Sequence, residues 1–102
     1  MNPNKDYGLR QVRIPATNLV QWSVPEGCYV IIQPRSDNAN NVNITSQDPT
    51  GAPAGTVAAW TLLAPTATNL DYVKLPFGYV GPIWINGTAG EHVTIWIMPG
   101  AY

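Results

Sequence analysis

The chain carries one histidine, His92, and one cysteine, Cys28, so the side chains that most often do nucleophilic, acid–base or metal chemistry occur singly. A nucleophilic constellation needs a Ser, Thr or Cys beside a positioned base. His92 is the only imidazole available, and its place at the start of an apolar strand fits a half-exposed rim residue. Closed zinc sites draw several ligands from His, Cys, Asp and Glu. One of each of the first two, with six acids, does not build one. Asp37-Asn38-Ala39-Asn40-Asn41 gathers oxygens without the spacing of a calcium loop, and reads as a turn. Asn86-Gly87-Thr88-Ala89-Gly90 lacks the lysine and the following helix of a phosphate loop. Cys28, inside Cys28-Tyr29-Val30-Ile31-Ile32, reads as a small buried hydrophobe. No catalytic site, metal site or cofactor is expected, and the chain is read as a non-enzyme.

The residues that remain for function are aromatic. Pro82 to Met98 reads as two alternating strands about a Gly-rich turn, the pattern of a hairpin. Successive strand side chains point to opposite faces. Ile83 and Ile85 share one face, and so do Val93, Ile95 and Ile97. Trp84, Thr94, Trp96 and Met98 take the other. A hairpin that pairs Asn86 with Thr94 sets Trp84 opposite Trp96. With Met98 this predicts an outer apolar patch on the order of 400 Å², the size at which exposed apolar area implies a partner.

These residues must be carried by strands. Ten prolines and nine glycines punctuate the 102 residues, and no helical period is evident. Eight strands are predicted, at 8–14, 18–24, 28–33, 41–46, 56–63, 70–75, 80–86 and 92–98. Their alternation puts Val12, Ile14, Val20, Trp22, Val24, Val42 and Ile44 inside. Trp60 lies in a strand apolar on both sides and is ambiguous. The segment 28–33 is apolar on both faces and reads as central. Pro82 marks an edge, a bulge or a strand's first residue. Gln47 to Gly55 is the least structured stretch. The expected fold is a single all-β antiparallel sandwich, jelly-roll or Greek-key like, of about eight short strands over 8–102. Residues 1–7 are expected to form a flexible N-terminal arm.

Composition sets limits. Size scaling gives a burial of roughly 10,000 Å² on folding, enough for one modest core. Charged residues make up 11%, less than half the usual ~25%. Uncharged polar side chains must cover the surface, which favours contact with other chains. The net charge of −1 and the absence of a basic stripe argue against nucleic acid as a partner. Arg10 and Arg13 come closest to a cluster, and a solvated strand face accounts for them. No apolar run is long enough to span a bilayer. The first residues lack the apolar core of a secretory signal, so synthesis in a cytoplasm is expected. Asn43-Ile44-Thr45 and Asn86-Gly87-Thr88 match a glycosylation sequon, idle in that setting.

Arg10-Gln11-Val12-Arg13-Ile14-Pro15, Trp22-Ser23-Val24-Pro25-Glu26-Gly27-Cys28-Tyr29-Val30 and Val80-Gly81-Pro82-Ile83-Trp84-Ile85-Asn86-Gly87 sit in a short all-β chain without cysteine pairs. In these general features the chain resembles the capsid decoration (cement) proteins of tailed bacteriophages. The resemblance implies a jelly-roll-like domain, often a homotrimer, that binds the major capsid protein on the outside of an assembled head and reinforces it in the virion. It assigns no residue roles. The candidate interface residues are Trp84, Trp96 and Met98, with Tyr7 of the arm and Arg10 and Arg13 of the first strand. The alternative expectation is a carbohydrate-binding or receptor-tip module, in which the same tryptophans stack on sugar faces.

Overall fold

In a computed structural model the description covers residues 7–53, 56–76 and 79–99. Eight strands follow one another: β1 Gly8–Arg13, β2 Leu19–Val24, β3 Cys28–Pro34, β4 Val42–Thr45, β5 Ala59–Leu62, β6 Val73–Lys74, β7 Gly81–Asn86 and β8 His92–Pro99. Every predicted strand is present. The fifth and sixth shrink to four and two residues.

The strands form two four-stranded antiparallel sheets, β1-β8-β3-β6 (sheet A) and β2-β7-β4-β5 (sheet B). The pairs β1·β8, β2·β7, β3·β6 and β4·β5 are those of one long hairpin bent between β4 and β5. Rolling that hairpin adds β3·β8 and β4·β7 and divides it between two sheets. This is jelly-roll wiring. The core lies between the sheets and follows the alternation. Val30, Ile32, Val93, Ile95 and Ile97 come from sheet A, and Val24, Val42, Ile44, Leu62, Ile83 and Ile85 from sheet B. Ile14 closes one end. Cys28 is buried and free, as expected of a small hydrophobe. Trp22 packs against the core from its edge.

The wiring corrects the hairpin expected at 82–98. β7 pairs with β2 and β4, whereas β8 pairs with β1 and β3. The Gly-rich connection is therefore an arch from one sheet to the other. Its tightness shows at Gly87, whose N–H donates to Asn18 O at 3.0 Å. A Cβ there would stand 2.5 Å from Ile14 Cδ1. Asn18, with φ 63°, holds the arch through Oδ1, which accepts from Ala89 N at 3.0 Å. Pro82 lies in a central strand rather than an edge. β4 meets β7 only at Trp84–Asn86, so the missing N–H of Pro82 breaks no ladder on that side.

Candidate functional site

Because β7 and β8 lie in different sheets, Trp84 and Trp96 stand on opposite outer faces of the sandwich and form no common patch. Their surroundings differ. On sheet A, register places Leu9, Trp96, Ile31 and Lys74 side by side across β1, β8, β3 and β6. Met98 lies opposite Tyr29 on the same face. Leu9 is 51% and Trp96 43% exposed, and Ile31, Met98 and Tyr29 are half-buried. The Lys74 ammonium sits 4.5 Å from the centre of the Tyr29 ring, a cation–π contact that keeps the charge at the rim. The other end of this face is polar, with Gln11, Thr94 and Gln33 in one row and Arg13 beside His92. Trp96 and Met98 thus belong to an apolar outer surface, as expected, but their neighbours are Leu9, Ile31 and Tyr29.

On sheet B, Trp84 lies between Gln21 and Thr45, and Asn86 beside Asn43. Trp84 is half-buried. Thr61 Oγ1 donates to Asn43 Oδ1 at 2.6 Å, and Thr45 Oγ1 to Gln47 O at 2.8 Å. The β4–β5 connection lies over this face: Pro49, Ala52, Pro53 and Val57 close a space of about 200 Å³ against Asn43, Thr45, Ala59 and Asn86. Within the stretch expected to be least structured, residues 48–52 are tied by Asp48 Oδ1, which accepts from Thr50 N at 2.9 Å, and by Ala52 N donating to Pro49 O; residues 54 and 55 lie outside the described residues.

Three other candidates separate from these surfaces. Tyr7 is half-buried and packs against the core, so it is a core flank; residues 1–6 of the expected arm lie outside the described residues. Arg10 shares the inward register with Ile95 on the edge strand and donates Nη1 to Leu9 O at 2.8 Å. Arg13 is exposed on the polar end of sheet A. No basic patch forms from the two, because alternation sends them to opposite faces.

The titratable groups act on loops. Arg35 Nε and Nη2 donate to the two carboxylate oxygens of Asp37, both at 2.7 Å. This fork raises the Arg35 pKa and lowers that of Asp37. Hydrogen bonds from Thr50 lower the Asp48 pKa in the same way. Asp71 accepts from Leu63 N and Tyr72 N, tying the end of β5 to the approach of β6. Glu91 Oε2 accepts from Ala39 N at 2.7 Å. The buried Asn38 amide pairs with the His92 backbone in both directions, at 2.7 and 3.2 Å. Glu91 Oε1 and His92 Nδ1 are buried without a hydrogen-bond partner. Among the described residues no three of His, Cys, Asp and Glu come close enough to hold a metal ion.

Sequence reasoning missed a second apolar region. A groove of about 670 Å³ opens between the edges of β5 and β6, lined by Trp60, Tyr72, Leu75 and Tyr79, with Ile44 and Ile83 at its floor. Trp60 is in register with the buried Ile44, so it points inward, yet it is 59% exposed. Its ambiguity in sequence has this cause: it occupies an inward position on an edge strand, where the core runs out.

A scan of protein-family models finds none that matches, and searches of curated proteins and of solved structures find no match either.

Proposed function

We propose that this chain is a non-enzymatic virion structural protein of a tailed bacteriophage, which binds the major capsid protein on the outside of an assembled head and stabilises it. The resemblance noted in the sequence motivates the virion setting. The observation that supports a docking role is the exposed apolar end of sheet A, where Leu9, Trp96 and Ile31 lie in one row with Met98 and Tyr29 beside them. Contiguous exposed apolar patches rimmed by polar residues mark interaction sites. The jelly-roll frame by itself carries no functional weight, since one fold serves many functions.

In this reading Trp96 is the anchor. Large aromatic side chains dominate binding energy when a partner desolvates them. The polar end of the same face, Gln11, Gln33, Thr94 and Arg13, supplies a rim that keeps the free protein soluble. Each bound copy adds contacts that exist only in the assembled shell, so binding raises shell stability by mass action, repeated at every site. The reading includes self-association, with a trimer as the expected form, and involves neither nucleic acid nor membrane.

The test is co-sedimentation of the purified protein with assembled heads that lack it. Binding that disappears in the double variant Leu9→Ser/Trp96→Ser, with unchanged thermal stability, supports the reading. Wild-type protein that stays in the supernatant sinks it. A two-tryptophan sugar platform is not available to the alternative reading, because Trp84 and Trp96 face away from one another.

A further inference from the structure

The chain has a net charge of −1, yet the two sheets share its charges unequally. The strands of sheet B, β2, β4, β5 and β7, contain no Lys, Arg, Asp or Glu. Those of sheet A contain Arg10, Arg13 and Lys74 and no Asp or Glu. The acids lie in connections, and most are engaged there. Arg35 takes both oxygens of Asp37. Glu91 accepts from Ala39 N, Asp48 from Thr50 N, and Asp71 from Leu63 N and Tyr72 N. Glu26 lies in the turn between β2 and β3. None stands in register with the row Leu9, Trp96, Ile31 and Lys74.

Two of the three cations frame the outer face. Lys74 ends the apolar row on β6, and its contact with the Tyr29 ring, 4.5 Å from the centre, holds the ammonium beside that row. Arg13 is exposed at the opposite corner, four residues along β1 from Leu9. With strands ~4.8 Å apart and a rise of ~3.4 Å per residue, the backbones of the two corners stand roughly 20 Å apart. An interface of standard size, about 800 Å² per partner, reaches both corners at once. Arg10 has the inward register and donates to Leu9 O, so it is not part of this frame.

We infer that the partner of sheet A is an acidic protein surface: an apolar recess that takes Trp96 and Leu9, with carboxylates set against Lys74 and Arg13. The inference deepens the docking reading and rests on it. The apolar row supplies the affinity, as buried anchors do. The cations at the corners speed encounter and fix the orientation in which the recess meets the row. Charge of one sign on the face, with the chain's own acids engaged elsewhere, makes acidic partners favourable and basic ones unfavourable. Two cations at distant corners are too few to follow a phosphate backbone, and they do not form the cluster of basic residues by which a protein holds an anionic membrane.

The experiment is co-sedimentation of the full chain with assembled heads that lack it, for wild type, Lys74→Glu, Arg13→Glu and Lys74→Arg. It is run from about 50 mM to about 500 mM sodium chloride, where the screening length falls to roughly 4 Å. Comparing the variants at each salt concentration removes any effect of salt on the heads. Each reversal should weaken binding roughly tenfold at low salt, and the difference should close at high salt. Lys74→Arg should bind as wild type does. Both positions are exposed, and thermal melts establish that the variants are folded. The two reversals lie on different strands, so either one keeps the test decisive if the other does not fold. Wild type that binds while both reversals bind equally well, at every salt concentration, overturns the inference and leaves the docking reading standing. Wild type that stays in the supernatant throughout removes the docking reading and the inference with it. Binding to phosphatidylserine vesicles or to duplex DNA that the same reversals abolish also overturns the inference, because the cations would then serve a lipid or a nucleic acid.

Discussion

The two outer faces of the sandwich carry one tryptophan each, on adjacent strands of the chain, and treat it differently. On sheet A, Trp96 stands among Leu9, Ile31 and Met98 and is 43% exposed. On sheet B, Trp84 sits among Gln21, Thr45 and Asn86 on a face that the β4–β5 connection crosses. Covering a face costs chain length. The connection between β4 and β5 spans thirteen residues, 46–58, whereas Trp96 stays 43% exposed. The difference teaches that an aromatic side chain on an outer face is not in itself a docking signal. Its row neighbours and its cover decide.

The largest effect should come from breaking the bare face. Leu9→Ser/Trp96→Ser removes two exposed side chains, so folding stability should move by no more than ~0.5 kcal/mol. Binding to the shell should fall by at least ~2 kcal/mol, about thirtyfold, as for a central anchor. Calorimetric melts and co-sedimentation read the two quantities separately. A melting temperature that drops sharply would make Trp96 a packing residue and erase the contrast with Trp84.

The next effect tests what sends the two tryptophans to opposite sides. Gly87 lets the arch between β7 and β8 pass against Ile14, which is fully buried. Gly87→Ala must displace Ile14 or the arch, and overpacking of this kind costs ~1–3 kcal/mol. Denaturant unfolding should show that loss. Unchanged stability would mean that the arch has room, and that its path is held mainly by Asn18 and its bond from Ala89 N.

What was legible in the sequence followed from local rules. Ile83 and Ile85, and Val93, Ile95 and Ile97, are inward as their alternation requires. The eight strands appear where prolines and glycines separate apolar runs. The pairing of Trp84 with Trp96 was not legible. A Gly-rich connection serves equally for a two-stranded hairpin and for an arch between sheets, and the choice is made by distant partners. β8 takes β1 and β3, and β7 takes β2 and β4. The groove was hidden for the same reason. Trp60 has an inward position in the alternation, and only the strand order reveals that β5 is an edge with no strand beyond it. Tyr7 follows polar neighbours and so reads as part of an arm, yet it packs against the core.

A smaller effect sharpens the contrast from the covered side. Trp84 is half-buried. Trp84→Ser should cost about 1 kcal/mol of stability from lost apolar contact, and leave shell binding and self-association as they are. The same two assays used for Trp96 measure it. Shell binding lost in this variant alone would move the docking role to sheet B.

The smallest effect belongs to the Arg35–Asp37 fork, at the tip between the two faces. Its side chains are 38% and 62% exposed, so screening keeps its contribution slight. Its pH dependence nevertheless has a definite sign. The hydrogen bonds from Arg35 hold the Asp37 carboxyl below its ordinary value of 3.8 in the folded state. The unfolded chain therefore binds a proton first as pH falls. The stabilisation is fully present above the ordinary carboxylate range and is lost as pH drops through the folded value. Arg35→Ala should lower the melting temperature slightly at neutral pH and not at all once Asp37 is protonated in both states. Melts at the two extremes measure the difference. A deficit that persists in acid would assign the role of Arg35 to its side-chain packing, because a carboxylate partner that has taken up its proton no longer distinguishes the two proteins.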